Sequence, residues 1–286
     1  MLTGALSVIT VWRGRVVHTL SQGEAINGVT SLAGEVYLLR NKERDQVEVY
    51  DVITYHLLRR INVPDVRTPT DMTCCEYNYC VYISDHGGKC AHRVDATGFA
   101  FMRWDVNDRP MHLSVNSAHN VLVTCPVVRK IKEFSSRGQL LRELALPDNI
   151  IMPWHTIQTR NDEFLLCHGG IHVAVKYVCK VSADGRHIVH SRGGQRGARL
   201  GQYSGPAHLA VDDNEFVFVA DCVNRRVRLL SPTLGHVRDI VSRDQLKWLP
   251  CRLCLDVRRR RLYVADNEWN ETEHKHTSGR VVVFSV

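Results

Sequence analysis

Histidines and carboxylates recur at matching places along this chain, either two residues after a proline or at the end of a short apolar run. The recurring residues that could ligate a metal are Asp85, His112, His155, His168, His208, Asp221 and Asp266. Imidazoles suit Zn²⁺, and several carboxylate oxygens suit Ca²⁺. A metal held by them could polarise a carbonyl or activate water, which is the chemistry of a hydrolase or lyase.

The same recurrence also has a structural interpretation. An Asp that ends a strand commonly accepts backbone N–H groups of the following turn. A histidine repeated at one place can instead pack between neighbouring repeats, and recurrence in several copies is typical of residues that a repeat fold requires. We therefore expect no bound cofactor or catalytic residue, and keep a Ca or Zn site as the alternative.

The elements that position these residues form a repeat. Five copies begin at prolines, which are Pro69, Pro110, Pro153, Pro206 and Pro250, and a degenerate first copy begins near Ile26. Three of the four proline steps are 41–44 residues, and the 53-residue step from Pro153 to Pro206 holds an insertion. A step of about 40–45 residues is the period of a four-stranded propeller blade. Each copy is rich in short Val, Ile, Tyr and Phe runs bounded by Gly, Asp and Asn, which are typical of strands. The sequence therefore predicts a single all-β domain over residues 1–286, a six-bladed β-propeller.

The predicted blades follow from the copies. Their bounds are 26–65, 66–106, 107–149, 150–191, 203–242 and 247–286. The last copy lacks a fourth strand, and the alternating apolar residues of the N-terminal segment 1–20 can supply it. Such closure would join the two chain ends in one sheet and hide an edge. In this arrangement the inner strands begin, and the second strands end, on one face near the central channel, which would bring the histidines and carboxylates together.

Two copies carry a recognisable motif. Residues 206–212, Pro-Ala-His-Leu-Ala-Val-Asp, are followed by Val-Phe-Val-Ala-Asp at 217–221 and Asn-Arg-Arg-Val at 224–227. This pattern resembles the NHL repeat, and residues 250–266 match it well. The resemblance implies an NHL-type propeller like the domain that binds protein or RNA in tripartite-motif proteins.

The NHL resemblance also extends to amidating lyases, in which two zinc-binding histidines directly follow the proline. That position here holds Thr70, Met111, Trp154, Ala207 and Cys251. The histidines stand one residue later, and successive strand residues point to opposite faces. The zinc ligands of the lyases are therefore not carried over to this chain.

Composition narrows the function classes further. The 286 residues are 44% hydrophobic and 23% charged, with a net charge of +7. No apolar run approaches the roughly 18 residues of a membrane span, so we expect no membrane partner. The ten cysteines mostly occupy apolar strand positions, and no signal peptide is evident. These features predict a reduced, cytoplasmic protein. Cys251 and Cys254 should face opposite sides of one strand and share no ligand.

We therefore predict a non-catalytic interaction module that binds a protein or single-stranded RNA through its channel-side face, either as a monomer or as part of a longer chain. A metal-dependent hydrolase or lyase with its site at the channel mouth is the alternative. Arginine makes bidentate contacts to carboxylates and phosphates. The predicted contact residues are Arg40, Arg196, Arg199, Arg225 and Arg252.

Overall fold

A computed structural model describes residues 14–42, 45–169 and 173–286. The described residues form 24 strands and one short 3₁₀ helix, Arg243–Gln245. The strands assemble into six sheets of four strands each. This confirms the predicted all-β, six-bladed propeller. No helix among the described residues is long and apolar enough to span a membrane.

The strand bounds, from the innermost strand of each blade outwards, are as follows. Blade 1 consists of β2 (Ile26–Leu32), β3 (Glu35–Arg40), β4 (Gln46–Asp51) and β5 (Leu57–Asn62). Blade 2 consists of β6 (Pro69–Cys75), β7 (Cys80–Asp85), β8 (Cys90–Asp95) and β9 (Phe101–Asp105). Blade 3 consists of β10 (His112–Val115), β11 (Val121–Cys125), β12 (Lys130–Phe134) and β13 (Leu140–Ala145).

The second half of the ring repeats the pattern. Blade 4 consists of β14 (Pro153–Gln158), β15 (Phe164–His168), β16 (Val175–Val181) and β17 (Ile188–Gln195). Blade 5 consists of β18 (Pro206–Val211), β19 (Val217–Asp221), β20 (Arg226–Leu230) and β21 (His236–Val241). Blade 6 consists of β22 (Leu249–Asp256), β23 (Arg261–Asn270), β24 (Lys275–Ser285) and β1 (Arg15–Glu24).

The inner strands line a central channel, because each of them contacts the inner strands of both neighbouring blades. All strand pairs within a blade are antiparallel, so the turns alternate between two faces. We call upper the face that carries the turns between second and third strands and the connections between blades. The lower face carries the turns between first and second strands.

The N-terminal strand closes the ring, as the sequence predicts. Strand β1 pairs antiparallel with β24, and Leu20 lies opposite Val281. The pairing continues four residues beyond the predicted end at residue 20, because β24 is long enough to pair Glu24 with Ser278. Residues 1–13 of the predicted closing segment lie outside the described residues.

The hydrophobic core lies between the blades rather than at the centre of the ring. The described residues form six apolar clusters, each between two neighbouring blades. The cluster between blades 6 and 1, for example, joins Leu20, Val36, Tyr263 and Val281. Each blade is therefore stabilised by burial on both of its faces, and the channel is left for polar groups.

Shortening a buried side chain of the closing strand tests the closure. The side chain of Leu20 is 1% exposed, whereas Val16 on the same strand is 42% exposed. We expect Leu20→Ala to lower the free energy of unfolding by about 2–5 kcal/mol, because it leaves a cavity between two blades. Val16→Ala should change it by less than about 0.5 kcal/mol. Equal effects in urea unfolding would show that β1 does not close the ring.

Candidate functional site

Five polar side chains from successive inner strands meet in the channel and form what we call the belt. Its members are Asp71, His112, His155, His208 and Arg252, contributed by blades 2 to 6. The His155 and His208 rings stack with their centroids 3.8 Å apart. Nδ1 of His112 and Nε2 of His208 lie 3.4 and 3.6 Å from Oδ2 of Asp71. The structure thus brings together three of the histidines that the sequence singles out.

The belt supplies hydrogen-bond acceptors to the inner strand of the next blade. Oδ2 of Asp71 accepts the backbone N–H of Leu113 at 2.9 Å. Nδ1 of His155 accepts the N–H of Leu209, and Nδ1 of His208 accepts the N–H of Leu253, both at 3.3 Å. Each acceptor serves the residue that directly follows the belt position of the next blade. His155 and His208 therefore share one role, which explains two of the three histidines that stand two residues after Pro.

Arg252 fills the part of the channel that blade 1 leaves open. Blade 1 has Gly28 at the belt position, where an added Cβ would lie 2.6 Å from the Cβ of Met72. Without a side chain there, the Arg252 guanidinium donates to the carbonyl oxygens of Asn27 at 2.9 Å and Thr70 at 2.6 Å. Its Nε lies 3.4 Å from Oδ1 of Asp71. Arg252 therefore links blades 6, 1 and 2 and stands beside the buried carboxylate.

Burial and charge fix the protonation of the belt. Burial alone would raise the pKa of the Asp71 carboxyl, but His208 and His112 outweigh it and hold that pKa well below its usual range. Burial lowers the pKa of His112 to about 3, and the nearby Arg252 charge acts in the same direction. Burial and the neighbouring His208 lower the pKa of His155 well below its usual value. His112 and His155 are therefore neutral at pH 7.

The hydrogen bonds within the belt do not leave its donor atoms free to bind a metal. The donor atoms of Asp71, His155 and His208 lie within 4.8 Å of one another. However, Nδ1 of His155 accepts a backbone N–H, and its Nε2 lies 3.1 Å from the carbonyl oxygen of Leu113, to which it must donate. Both nitrogens of His155 are thus engaged, and a metal would have to break one of these bonds.

The strand-ending aspartates occupy turns of their own blades. Oδ1 of Asp221 accepts the N–H groups of Ser204 and Gly205, and Asp266 accepts those of Lys247 and Trp248. Both carboxylates are fully buried. Each one therefore anchors the connection that enters the inner strand of its blade, which is the turn role that its sequence motif suggests.

The two other proposed ligands at strand ends also lie apart from the belt. Asp85 accepts the N–H groups of Arg67 and Thr68 in blade 2. His168 in blade 4 stacks on Tyr177 with centroids 5.3 Å apart, and its burial lowers its pKa to about 4. Among the described residues, the seven alternative ligands do not assemble into a single centre.

The five arginines predicted as contacts fall into two groups. Arg40 is buried and pairs with Glu48 at 2.9 Å. Arg225 donates to the carbonyl oxygens of residues 246–248, and Arg252 belongs to the belt. Arg196 and Arg199 are exposed in the connection between blades 4 and 5, and no described carboxylate pairs with either. Only these two therefore present a free charge to a partner.

Exposed aliphatic side chains surround Arg196 and Arg199 on the upper face. The side chains, each at least 36% exposed, are Val127, Val128, Ile151, Met152, Leu200 and Val223. We call them, together with Arg196 and Arg199, the upper patch. Backbone hydrogen bonds join the loops that carry them: Leu146 to Arg129, Gly169 to Ile151, Arg196 to Ala174, and Cys222 to Gly205. These bonds fix the described parts of the loops that carry the patch residues in blades 3, 4 and 5.

The channel is hollow on the other side of the belt. A cavity of about 460 Å³ opens on the lower face, with His155 and His208 at its inner end. Arg258 and Glu76 pair at 2.9 Å at its rim. Sequence reasoning placed the concave mouth on the upper face and missed this cavity. The sequence does contain a sign of this cavity, because small residues such as Thr30 follow the belt position along the inner strands.

A thiol pair on the upper face also escaped the sequence analysis. Sγ of Cys222 lies 3.7 Å from Sγ of Cys251, and Nε2 of His276 lies 3.6 Å from the latter. The three residues come from β22, β24 and the turn after β19, so no spacing in the sequence relates them. All ten cysteines are free thiols.

No family model and no curated protein matches the chain. Solved structures do match its fold. Hydrazine synthase from Kuenenia stuttgartiensis is 14% identical to this chain, and the two superpose with a TM-score of 0.62. The match covers 92% of this chain and 97% of the hydrazine synthase chain. Virginiamycin B lyase from Staphylococcus aureus is 9% identical over 92% of this chain and 95% of its own, with a TM-score of 0.61. A streptogramin B lyase is 10% identical over 96% of this chain and 99% of its own, with a TM-score of 0.61.

At these identities the likeness establishes the propeller fold alone. The NHL type of the repeat stays a prediction from the sequence. The neighbours include lyases, so the comparison favours neither a binding module nor an enzyme.

Exchanging a belt histidine tests its acceptor role. His208→Ala removes the acceptor for the Leu253 N–H and should cost about 1–3 kcal/mol of unfolding free energy, the usual cost of an unsatisfied buried donor. His208→Asn places an oxygen near the position of Nδ1 and should cost clearly less. Equal losses for the two variants in urea unfolding would contradict the acceptor role.

The buried neutral histidines predict a pH dependence of stability. The unfolded chain binds protons at these histidines near pH 6.5, whereas the folded chain binds them only near pH 3 at His112 and pH 4 at His168. Unfolding therefore becomes easier as the pH falls below 6.5, by up to about 1.4 kcal/mol per pH unit for each such histidine. Between pH 6.5 and 4.5, His112→Gln should reduce the slope of the unfolding free energy against pH by the contribution of about one bound proton. An unchanged slope would mean that His112 is charged in the folded state.

Proposed function

We propose that this propeller is a non-catalytic interaction module that docks a protein segment with aliphatic and acidic side chains on the upper patch. The observation that carries the proposal is the connection 196–205 between blades 4 and 5. It is held rigidly in place, yet it exposes Arg196, Arg199 and Leu200 to solvent.

Blade 5 fixes this connection with its own side chains. Arg226 donates to the carbonyl oxygens of Ala198 at 2.9 Å and Gln202 at 3.0 Å. Nδ2 of Asn224 donates to the carbonyl oxygen of residue 197 at 2.9 Å, and Asp221 holds the N–H groups at the end of the loop. A loop that is already ordered loses little conformational freedom when it binds, which favours affinity.

The chemistry of the upper patch defines the partner. Leu200 is 69% exposed and Val127 is 64% exposed, and exposed aliphatic groups in a continuous patch mark interaction sites. The charges of Arg196 and Arg199 have no described carboxylate partner, so an acidic group would be complementary to them. Single-stranded RNA needs aromatic platforms on which bases stack, whereas the exposed apolar residues of the patch are all aliphatic. The patch therefore favours protein over RNA.

The proposal is tested on an array of synthetic peptides that combine acidic and aliphatic residues, with lysine replacing the acids in matched peptides. Arg199→Glu combined with Leu200→Asp should weaken binding of the acidic peptides at least ~10-fold, which is about 1.4 kcal/mol. The matched control, Arg186→Glu with Val189→Asp, makes the same change of charge and apolarity in blade 4 away from the patch. It should bind like the unmodified chain.

Two results would overturn the proposal. One is equal peptide binding by the Arg199/Leu200 variant and the unmodified chain. The other is binding of single-stranded oligoribonucleotides in place of peptides, recognised by an affinity that falls steeply with salt.

A further inference from the structure

Blade 2 differs from blades 5 and 6 in the partner of its buried strand-ending aspartate. In blade 5, Asp221 is paired in register with Arg226, whose Nε donates to Oδ2 at 2.9 Å. In blade 6, Asp266 is likewise paired with Arg280, also at 2.9 Å. In blade 2, the residue paired with Asp85 is Cys90. At the register position where blades 5 and 6 have an arginine, blade 2 therefore has a thiol.

A thiol and an imidazole take the place of that cation. Sγ of Cys90 lies 3.8 Å from Oδ2 of Asp85, and Nε2 of His92 lies 3.5 Å from the same oxygen. The thiol and the imidazole nitrogen are 3.4 Å apart. All three side chains are buried, with exposures of 0%, 0% and 3% for Asp85, Cys90 and His92. Three different donor types thus converge on one point without solvent between them.

The triangle has the size of a face of a zinc tetrahedron. Zinc binds sulfur at about 2.3 Å and nitrogen or carboxylate oxygen at about 2.0–2.2 Å, which places tetrahedral donors about 3.3–3.6 Å apart. The imidazole-to-carboxylate separation of 3.5 Å is long for a hydrogen bond, since N–H···O bonds usually span about 2.7–3.2 Å. The separations of 3.4 and 3.5 Å fall within the range for tetrahedral donors and that of 3.8 Å lies slightly beyond it, so the three donors are compatible with a shared ion.

The surroundings orient the donors and leave space beside them. The carboxylate of Asp85 is fixed by the N–H groups of Arg67, Thr68 and Gly88 at 2.8–2.9 Å. A Cβ on Gly88 would lie 2.4 Å from Oδ2 of Asp85 and 2.9 Å from Sγ of Cys90. Glycine therefore keeps open a position next to two donors. Arg103 donates to the carbonyl oxygen of Gly88 at 3.4 Å, pairs with Asp105 on the solvent side, and also interacts with the Cys90 thiol.

We propose that Asp85, Cys90 and His92 form a structural site for Zn²⁺ or a similar borderline-soft divalent cation, with water as the fourth ligand. The ion would replace the guanidinium of blades 5 and 6 and tie the end of β7 to the start of β8. This site is distinct from the belt and from the upper patch. Of the alternative ligands predicted from the sequence, it uses Asp85 alone.

Binding must release the thiol proton, because the thiolate is the ligand. Without an ion, burial and the Asp85 charge raise the pKa of the Cys90 thiol to about 11.

The test is a titration of the full chain with Co²⁺ and with Zn²⁺, after exhaustive chelation. Thiolate coordination to Co²⁺ gives a charge-transfer absorption band that reports the ligand directly. The titration is made in a Cys251→Ser background, which removes the other close thiol pair. We expect one equivalent to bind, and a loss of affinity in Cys90→Ser and His92→Gln beyond the roughly 10–100-fold that removal of an outer-shell partner costs.

Two further variants keep the test decisive. Cys80→Ser removes a buried thiol from the same blade and should leave the titration unchanged. Cys90→Arg introduces the residue that blades 5 and 6 use, and it should abolish the Co²⁺ band while thermal stability becomes independent of added Zn²⁺. The proposal is overturned if the Cys251→Ser protein shows no thiolate–cobalt band, or if the band persists in folded Cys90→Arg protein.

Discussion

The inner strand of every blade leaves one edge facing the channel, and backbone N–H groups at this edge have no further strand to pair with. An unpaired buried N–H costs about as much as a lost hydrogen bond. The belt meets this constraint with side chains: Asp71, His155 and His208 each accept one N–H from the next blade. Their position and mutual packing follow from that task. A concentration of imidazole and carboxylate at a channel is thus explained here without catalysis.

The sequence predicts the fold because each copy of the repeat can be recognised from short, local sequence features. Prolines at the start of inner strands, apolar runs and strand-ending aspartates recur at the spacing of one blade, and the unmatched last copy requires the N-terminal strand. The acceptor role of His155 and His208 could be anticipated as packing between blades. The identity of the acceptor atom could not, because it depends on which N–H the neighbouring strand places within reach.

The site was harder to predict because arginines look alike in a sequence. Arg225 and Arg196 both occur in polar turns or loops, yet Arg225 donates to backbone carbonyls inside the fold and Arg196 stays free. Pairings such as Asp85 with Cys90, or Cys222 with Cys251, depend on register and on contacts between blades. The five-residue spacing of Asp85 and Cys90 equals that of Asp221 and Arg226, whereas spacing carries no information about the contact of Cys222 with Cys251, which joins two blades.

Different residues of the molecule thus serve stability and the recognition that we propose. Buried polar groups of the belt and of the strand ends hold blades and connections in place, and the same anchoring orders the loop that exposes Arg199 and Leu200. Because Arg226 and Asn224 hold that loop, the binding that we propose on the upper patch would depend on the framework beneath it.

The most direct test of this account is the ring tautomer of the belt histidines, measured by ¹H–¹⁵N NMR and assigned with single-histidine variants. Because Nδ1 of His155 and of His208 accepts a backbone N–H, both rings should carry their proton at Nε2 and none at Nδ1, unchanged by added Zn²⁺. Protonation at Nδ1, or a ring nitrogen shifted by Zn²⁺, would show that the belt is a metal or catalytic centre and contradict the account.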